Sequence, residues 1–317
     1  MRCGGAEAAP HPNHQKQSGD HKDEAFWRGA NRAVTTMVED LTTLLFPSQG
    51  LTTLPLCAPD ELVCCAAAGP GGHPLRVLLD TGTDPSAVDA GLARRLALRT
   101  GGSGLGQGAA SDQVAFTEAV LPWLRLGELT IRDLFAPALD LGPFGIDVVL
   151  GYNVLRQVAL RIDYRRRALT LAHPDLGAPA EPGALALPLT FWEHFPALPD
   201  VEIDGLRVPL ATIDTGSNAA LTVGPDVAAA LGLSIERAGV RLASGAGFGG
   251  GGVVLRGSYH AVKLGPVKLR DVEVDAPDLP GGDLSRAGRA NIGNRLLARF
   301  AAVTLDYERR IATLEPD

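Results

Sequence analysis

Aromatic side chains are scarce in this chain of 317 residues, at 5%, whereas Gly (38) and Pro (23) are plentiful. That balance suits many short strands joined by turns and argues against a bundle of long helices. Positive charge is also lacking. The formal net charge is -7, and phosphate binding requires a basic face, so no nucleic-acid partner is expected. The one dense basic run, "YRRRAL", reads as a solvated hairpin turn. No apolar run approaches the roughly 18 residues of a membrane span. The first 50 residues lack the basic start and apolar stretch of a secretory signal, so a cytoplasmic location is the default expectation.

The sequence has no CxxC or HExxH, no GxSxG nucleophile elbow and no Cys-His arrangement, and therefore implies neither a metal nor a cofactor. The four cysteines, Cys3, Cys57, Cys64 and Cys65, do not form a disulfide framework. Cys57 and Cys64 can face each other across a hairpin, with buried free thiols the expected state. His11, His14 and His21 fall in a polar, aperiodic segment that reads as solvated chain.

What the sequence does contain is one unit twice. "LRVLLDTGT" carries Asp80 and "PLATIDTGS" carries Asp214, 134 residues apart. Gly127 and Asp133 of "LRLGELTIRD" match Gly265 and Asp271 of "VKLGPVKLRD" at 138. Gly151 of "VVLG" matches Gly293 of "ANIG" at 142, and Asp163 matches Asp306 at 143. An offset that creeps upward without reversing is the mark of a duplicated domain whose loops have lengthened. The alternation in "AVKLGPVKLRDVEV" predicts strands with one buried face. Asp89 can cap a short helix after the first Asp-Thr-Gly, and Pro225 suits the first turn of one after the second.

The domain boundaries expected are 52–174 and 185–317, joined by a Pro- and Gly-rich linker at 175–184. Residues 1–48 read as a disordered tail in which "NRAVTTMVEDLTTLLF" offers one short helix. Asp133, Asp271, Asp163 and Asp306 read as turn residues, and His194 and His260 as structural or surface histidines.

Two carboxylates held at about 3 Å cannot both ionise, so the pair keeps one proton and works as acid and base together. Asp80 and Asp214 are the candidates. Gly82 and Gly216 let the backbone turn tightly beside each carboxylate. The hydroxyls of Thr83 and Ser217 are placed to bond the outer carboxylate oxygens.

With DTGT and DTGS each followed by a helix, a glycine-rich stretch, an apolar-apolar-Gly element and a "DY" hairpin, the chain from residue 52 onward resembles the retropepsin-like aspartic proteases, in particular their bacterial and retroviral branch. The resemblance implies a mainly β acid-protease fold. It would have two tandem retropepsin-like closed β-barrel lobes with pseudo-twofold symmetry and one short helix per lobe after the DTG loop. It implies that Asp80 and Asp214 are catalytic, that Thr81 and Thr215 make a reciprocal contact, and that Leu150-Gly151 and Ile292-Gly293 pack beneath the aspartate loops. Glycine-tipped flaps are expected around Gly104, Gly106, Gly247 and Gly249. The expected partner is a peptide or protein substrate. The expected assembly is a monomer with pseudo-dimeric lobes, a homodimer being the other arrangement open to it. A catalytically inactive peptide-binding or scaffold protein on the same fold is the competing reading.

Overall fold

Short apolar alternations punctuated by Gly, Pro and Asp fold as strands throughout the computed structural model, which describes residues 39–57, 62–108, 111, 113–247, 250–259, 261–278, 282 and 287–317. Residues 1–38, with Cys3 and the three early histidines, lie outside that description, as do Gly249 and His260.

The first part of the chain forms β1 (Thr43–Leu45), β2 (Leu51–Pro55), β3 (Cys64–Ala68), β4 (Pro74–Leu79), β5 (Ala87–Asp89), α1 (Ala90–Arg95), β6 (Arg99–Gly106), β7 (Val114–Leu126), β8 (Leu129–Phe135), β9 (Ala138–Leu139), β10 (Val148–Leu150), α2 (Tyr152–Leu155), β11 (Ala159–Asp163) and β12 (Ala168–Ala172). After a strand-free stretch come β13 (Leu185–Pro188), β14 (Thr190–Trp192), β15 (Phe195–Ile203), β16 (Leu206–Asp214), β17 (Leu221–Val223), α3 (Pro225–Ala230), β18 (Arg241–Gly247), β19 (Gly250–Tyr259), β20 (Val262–Leu264), β21 (Val267–Leu269), β22 (Val272–Pro277), β23 (Arg289–Gly293), α4 (Asn294–Leu297), β24 (Ala302–Asp306) and β25 (Ile311–Glu315). The protein is mainly β, with few and short helices. Among the described residues no helix is long and apolar enough to cross a membrane.

Local chemistry explains the helices. Asp89 caps α1 by accepting from Leu92 N at 2.8 Å. Pro225 occupies the first turn of α3, where its missing N–H costs nothing. Two expectations are corrected. Among the described residues each part of the chain has, besides the short helix expected after its Asp-Thr-Gly loop, a further short α-helix, because the turns after Gly151 and Gly293 wind into α2 and α4. The segment expected to be helical up to Phe46 instead supplies β1, which pairs with β8, so order begins before residue 48. Its β-branched threonines favour the extended backbone that this sheet edge offers.

Among the described residues the strands make three sheets. A nine-stranded sheet runs β1-β8-β7-β3-β4-β10-β5-β9 with β6 on β7, and a ten-stranded one runs β18-β19-β22-β17-β23-β16-β15-β20-β21 with β14 on β15. Both contain one local pattern. β10 lies parallel to β4 and antiparallel to β5, just as β23 lies parallel to β16 and antiparallel to β17. The third sheet, β13-β25-β24-β11-β12-β2, mixes strands from both parts of the chain. At its centre β11 and β24 run antiparallel, with Ala159 opposite Asp306 and Asp163 opposite Ala302.

The hydrophobic core is continuous from Leu54 to Leu314 and includes the fully buried Leu79, Leu121, Leu150, Leu160 and Ile292. Each such side chain contributes about 1.5–3 kcal/mol relative to exposure. The turn aspartates Asp133 and Asp271 both sit at positive φ, a conformation that Asp tolerates better than most residues. Asp163 and Asp306 accept hydrogen bonds from the main-chain N of Arg166 and Arg309, closing their hairpins. Asp163 also shares Arg161 with Glu315, a buried ionic cluster in the third sheet. Burial alone would raise Asp163, but hydrogen bonds from Arg166 and the charge of Arg161 hold it below its ordinary value.

Candidate active site

Parallel pairing of β4 with β10 and of β16 with β23 sets where the two Asp-Thr-Gly loops emerge. Asp80 N donates to Leu150 O at 2.9 Å, and Asp214 pairs in register with Gly293. Glycine is required at both following positions. A Cβ on Gly151 would stand 2.4 Å from Thr83 O, and one on Gly293 would stand 2.3 Å from Ala219 O. Tyr152 N then bonds Thr83 O at 2.8 Å, and Asn294 N bonds Ser217 O at 2.7 Å. Leu150 and Ile292, both fully buried, anchor these elements.

The two loops grip one another through their threonines. Thr81 Oγ1 donates to Ile213 O and Thr215 Oγ1 to Leu79 O, each at 2.6 Å. Each hydroxyl also accepts from the other loop, Thr81 N to Thr215 Oγ1 and Thr215 N to Thr81 Oγ1, both at 3.1 Å. Both side chains are buried, so four hydrogen bonds operate with little competition from water.

This contact sets each carboxyl, Asp80 and Asp214, against the glycine of the opposite loop. Gly82 N donates to Asp80 Oδ1 at 2.8 Å and Gly216 N to Asp214 Oδ1 at 3.0 Å. A Cβ at Gly216 would lie 2.3 Å from the Asp80 carboxyl carbon, and one at Gly82 would lie 2.8 Å from that of Asp214. Each glycine is therefore also the floor of the opposite carboxyl.

The outer oxygens are held differently. Thr83 Oγ1 donates to Asp80 Oδ2 at 2.6 Å. Ser217 does not do the same for Asp214; its hydroxyl accepts from Ala219 N at 3.4 Å. Asn291 supplies the bond instead, Nδ2 to Asp214 Oδ2 at 2.8 Å, while its own Oδ1 accepts from Thr212 Oγ1 at 2.7 Å. The sequence held a signal for Asn291. It is the polar member of "ANIG" where the matching element reads "VVLG".

Burial raises both carboxyls. Asp214 is pushed up to about 8 by burial and then by the charge of Asp80. Asp80, 5% exposed, is raised by burial, with Thr83 and Gly82 opposing. The arrangement can hold one proton between two carboxyls, with one able to accept a proton from water and the other able to donate.

A second layer lies beside the Asp80 loop. His194 Nδ1 meets Asp84 Oδ2, and the His194 ring stacks on Tyr152 at 4.5 Å. Tyr152 in turn faces Tyr307 at 6.2 Å. Burial raises the Tyr307 hydroxyl, which has no hydrogen-bond partner among the described residues. Sequence reasoning gave His194 only a structural or surface role and assigned none to Asp84.

Hairpins are present at both glycine-rich stretches. Gly104 pairs with Phe116 and Gly106 with Val114, and Gly247 pairs with Gly250. A separate cavity is lined by Asp163, Arg165, Arg166, Glu181, Ala301 and Glu315, none of them from the Asp-Thr-Gly loops. Among the described residues, no three His, Cys, Asp or Glu side chains converge as metal donors would.

Residues 67–154 match a family model described as aspartyl protease. The match takes in Asp80, Thr81, Gly82, Leu150 and Gly151 and ends well before Asp214. It suggests a hydrolase with aspartic protease activity. No curated protein matches the chain.

Proposed function

We propose that the protein is an aspartic endopeptidase in which Asp80 and Asp214 together activate one water. The observation that carries this reading is the approach of the two Asp-Thr-Gly loops, each glycine lying against the opposite carboxyl, held by reciprocal bonds from Thr81 and Thr215. The ionised carboxyl takes a proton from water lying between the pair, and the protonated one polarises the peptide carbonyl under attack and then supplies its proton. Thr83 and Asn291 fix the outer oxygens so that the reactive ones stay in register.

On this reading the two parts of the chain are tandem barrel-like lobes spanning 52–174 and 185–317. A pseudo-twofold axis passes between Arg161 and Thr304, which face each other at the middle of the β11–β24 pairing. One chain then supplies both aspartates and works as a monomer, so its mass in solution should be that of a single chain. The β6–β7 and β18–β19 hairpins serve as flaps over an extended peptide.

The test is cleavage of a mixed peptide library from about pH 3 to about 10, a span that brackets the about 8 of Asp214. Wild type should cut, Asp80→Asn and Asp214→Asn should not, and activity should decline above the about 8 of Asp214. A wild type that retains peptides without cutting them would make the protein a binding module.

A further inference from the structure

The first cysteine cluster has chemistry that the aspartate pair does not use. Among the described residues three thiols are free, with Cys57 exposed and Cys64 and Cys65 buried. The exposure of Cys57 departs from the sequence expectation of buried thiols. Cys64 and Cys65 are neighbours on β3 and so point to opposite faces. Cys65 packs into the main core, and burial pushes its thiol up to about 12. Cys64 faces the other way, toward Cys57.

Two separate contacts join Cys57 to Cys64. Their main chains are hydrogen-bonded, Cys57 N to Cys64 O at 2.8 Å. The bond is one-sided, since Cys64 N bonds Leu62 O, and it lays the two residues side by side. The two thiols also lie near enough that Cys64 disfavours ionisation of Cys57. The guanidinium of Arg76 lies beside them, with Nη2 3.9 Å from Cys64 Sγ.

We propose that Cys57 and Cys64 are an oxidisable pair that closes to an intramolecular disulfide when the protein meets a low-molecular-weight disulfide. Cys57, the reachable member, attacks first. Its thiolate forms a bond to one sulfur of the reagent, the reagent S–S bond breaks, and the departing thiolate takes up the proton that Cys57 gave to solvent. Cys64 then attacks the Cys57 sulfur as its thiolate, the Cys57–reagent S–S bond breaks, and the Cys64 proton passes to the second thiol as it leaves. Two electrons pass from the protein pair to the reagent, and two thiols are released for one disulfide formed. Burial and the neighbouring Cys64 raise the Cys57 thiol, so closure is faster at alkaline pH.

The bond would join two sheets. Cys57 follows β2 of the six-stranded sheet, and Cys64 belongs to β3 of the nine-stranded sheet, opposite Leu78 of β4. It would therefore staple β3, the neighbour of the strand leading to Asp80, onto the sheet that both parts of the chain share.

The test needs no proteolytic activity. The full-length protein is incubated with oxidised glutathione and followed by intact mass, thiol counting and peptide mapping. Wild type should lose two hydrogen atoms and two of its four titratable thiols, yield one linked pair of peptides containing Cys57 and Cys64, and recover on reduction. Cys57→Ser should show no closure. Cys64→Ser should hold glutathione on Cys57 as a stable adduct. A stable glutathione adduct on Cys57 in wild type, or a link through Cys3 or Cys65, overturns the proposal.

Discussion

Replacing Asp214 by Asn should destabilise the protein in acid and stabilise it in mild alkali. Burial and the charge of Asp80 raise the Asp214 carboxyl from its ordinary 3.8 to about 8. A group raised on folding contributes stability that is complete below the unfolded value and is lost as pH climbs through the folded one. At about 1.4 kcal/mol for each tenfold change in proton affinity, the upper limit of that loss is about 6 kcal/mol. Solvent reaching the partly exposed Asp214 reduces it to the order of 3 kcal/mol.

Asparagine has no such proton to lose. It does have one carbonyl oxygen where Asp214 uses two, to accept from Gly216 N and from Asn291 Nδ2. One buried donor is left facing an amide NH2, at a cost of about 1–2 kcal/mol. The variant should thus be less stable by about 1–2 kcal/mol near pH 4 and more stable by a similar amount near pH 9. Urea unfolding at the two pH values measures this. An equal difference at both would show that Asp214 titrates as an ordinary carboxylate, and the shared-proton mechanism would fall with it.

Thr215→Val strips partners from Leu79 O and Thr81 N, both buried, and should cost about 2–6 kcal/mol in unfolding experiments along with most peptide cleavage. Gly216→Ala places a Cβ 2.3 Å from the Asp80 carboxyl carbon, so cleavage should be abolished even in preparations whose circular dichroism is that of wild type. Asn291→Val removes a donor that favours the ionised form of Asp214, so the alkaline edge of the kcat/KM profile should move to higher pH. Arg161→Leu leaves Asp163 and Glu315 buried without their cation and should cost about 3–5 kcal/mol at neutral pH. Both carboxyls are held low in the folded protein, so that cost should shrink in acid, as calorimetry at two pH values would show.

Signals confined to a few neighbouring residues were the ones legible in the sequence. Asp89 and Pro225 announced α1 and α3, and repeated glycines at 151 and 293 announced places where the backbone comes too close for a side chain. The meeting of the Thr81 and Thr215 loops was expected only from the family resemblance that the two Asp-Thr-Gly segments carry. Contacts set by long-range register were not. That Asn291 reaches Asp214 depends on β16 and β23 lying parallel with Thr212 beside Asn291. The six-stranded sheet depends on pairing strands as distant as β2 and β12, or β11 and β24, which no local alternation specifies. The contact of His194 with Asp84 joins a hairpin tip to a loop 110 residues away, between single residues with no repeat to mark them.

The unequal outer bonds of the two aspartates give the site a direction. Two identical chains meeting at such a pair would present the same groups to both ends of a peptide, which could bind either way round with the same result. Here Thr83 stands by one carboxyl and Asn291 by the other, and Tyr152 follows one glycine where Asn294 follows its counterpart. A peptide reversed across Asp80 and Asp214 would meet different neighbours. On the proposed function, the site would distinguish the amino side of a scissile bond from the carboxyl side through its own residues, before any feature of the substrate side chains is read.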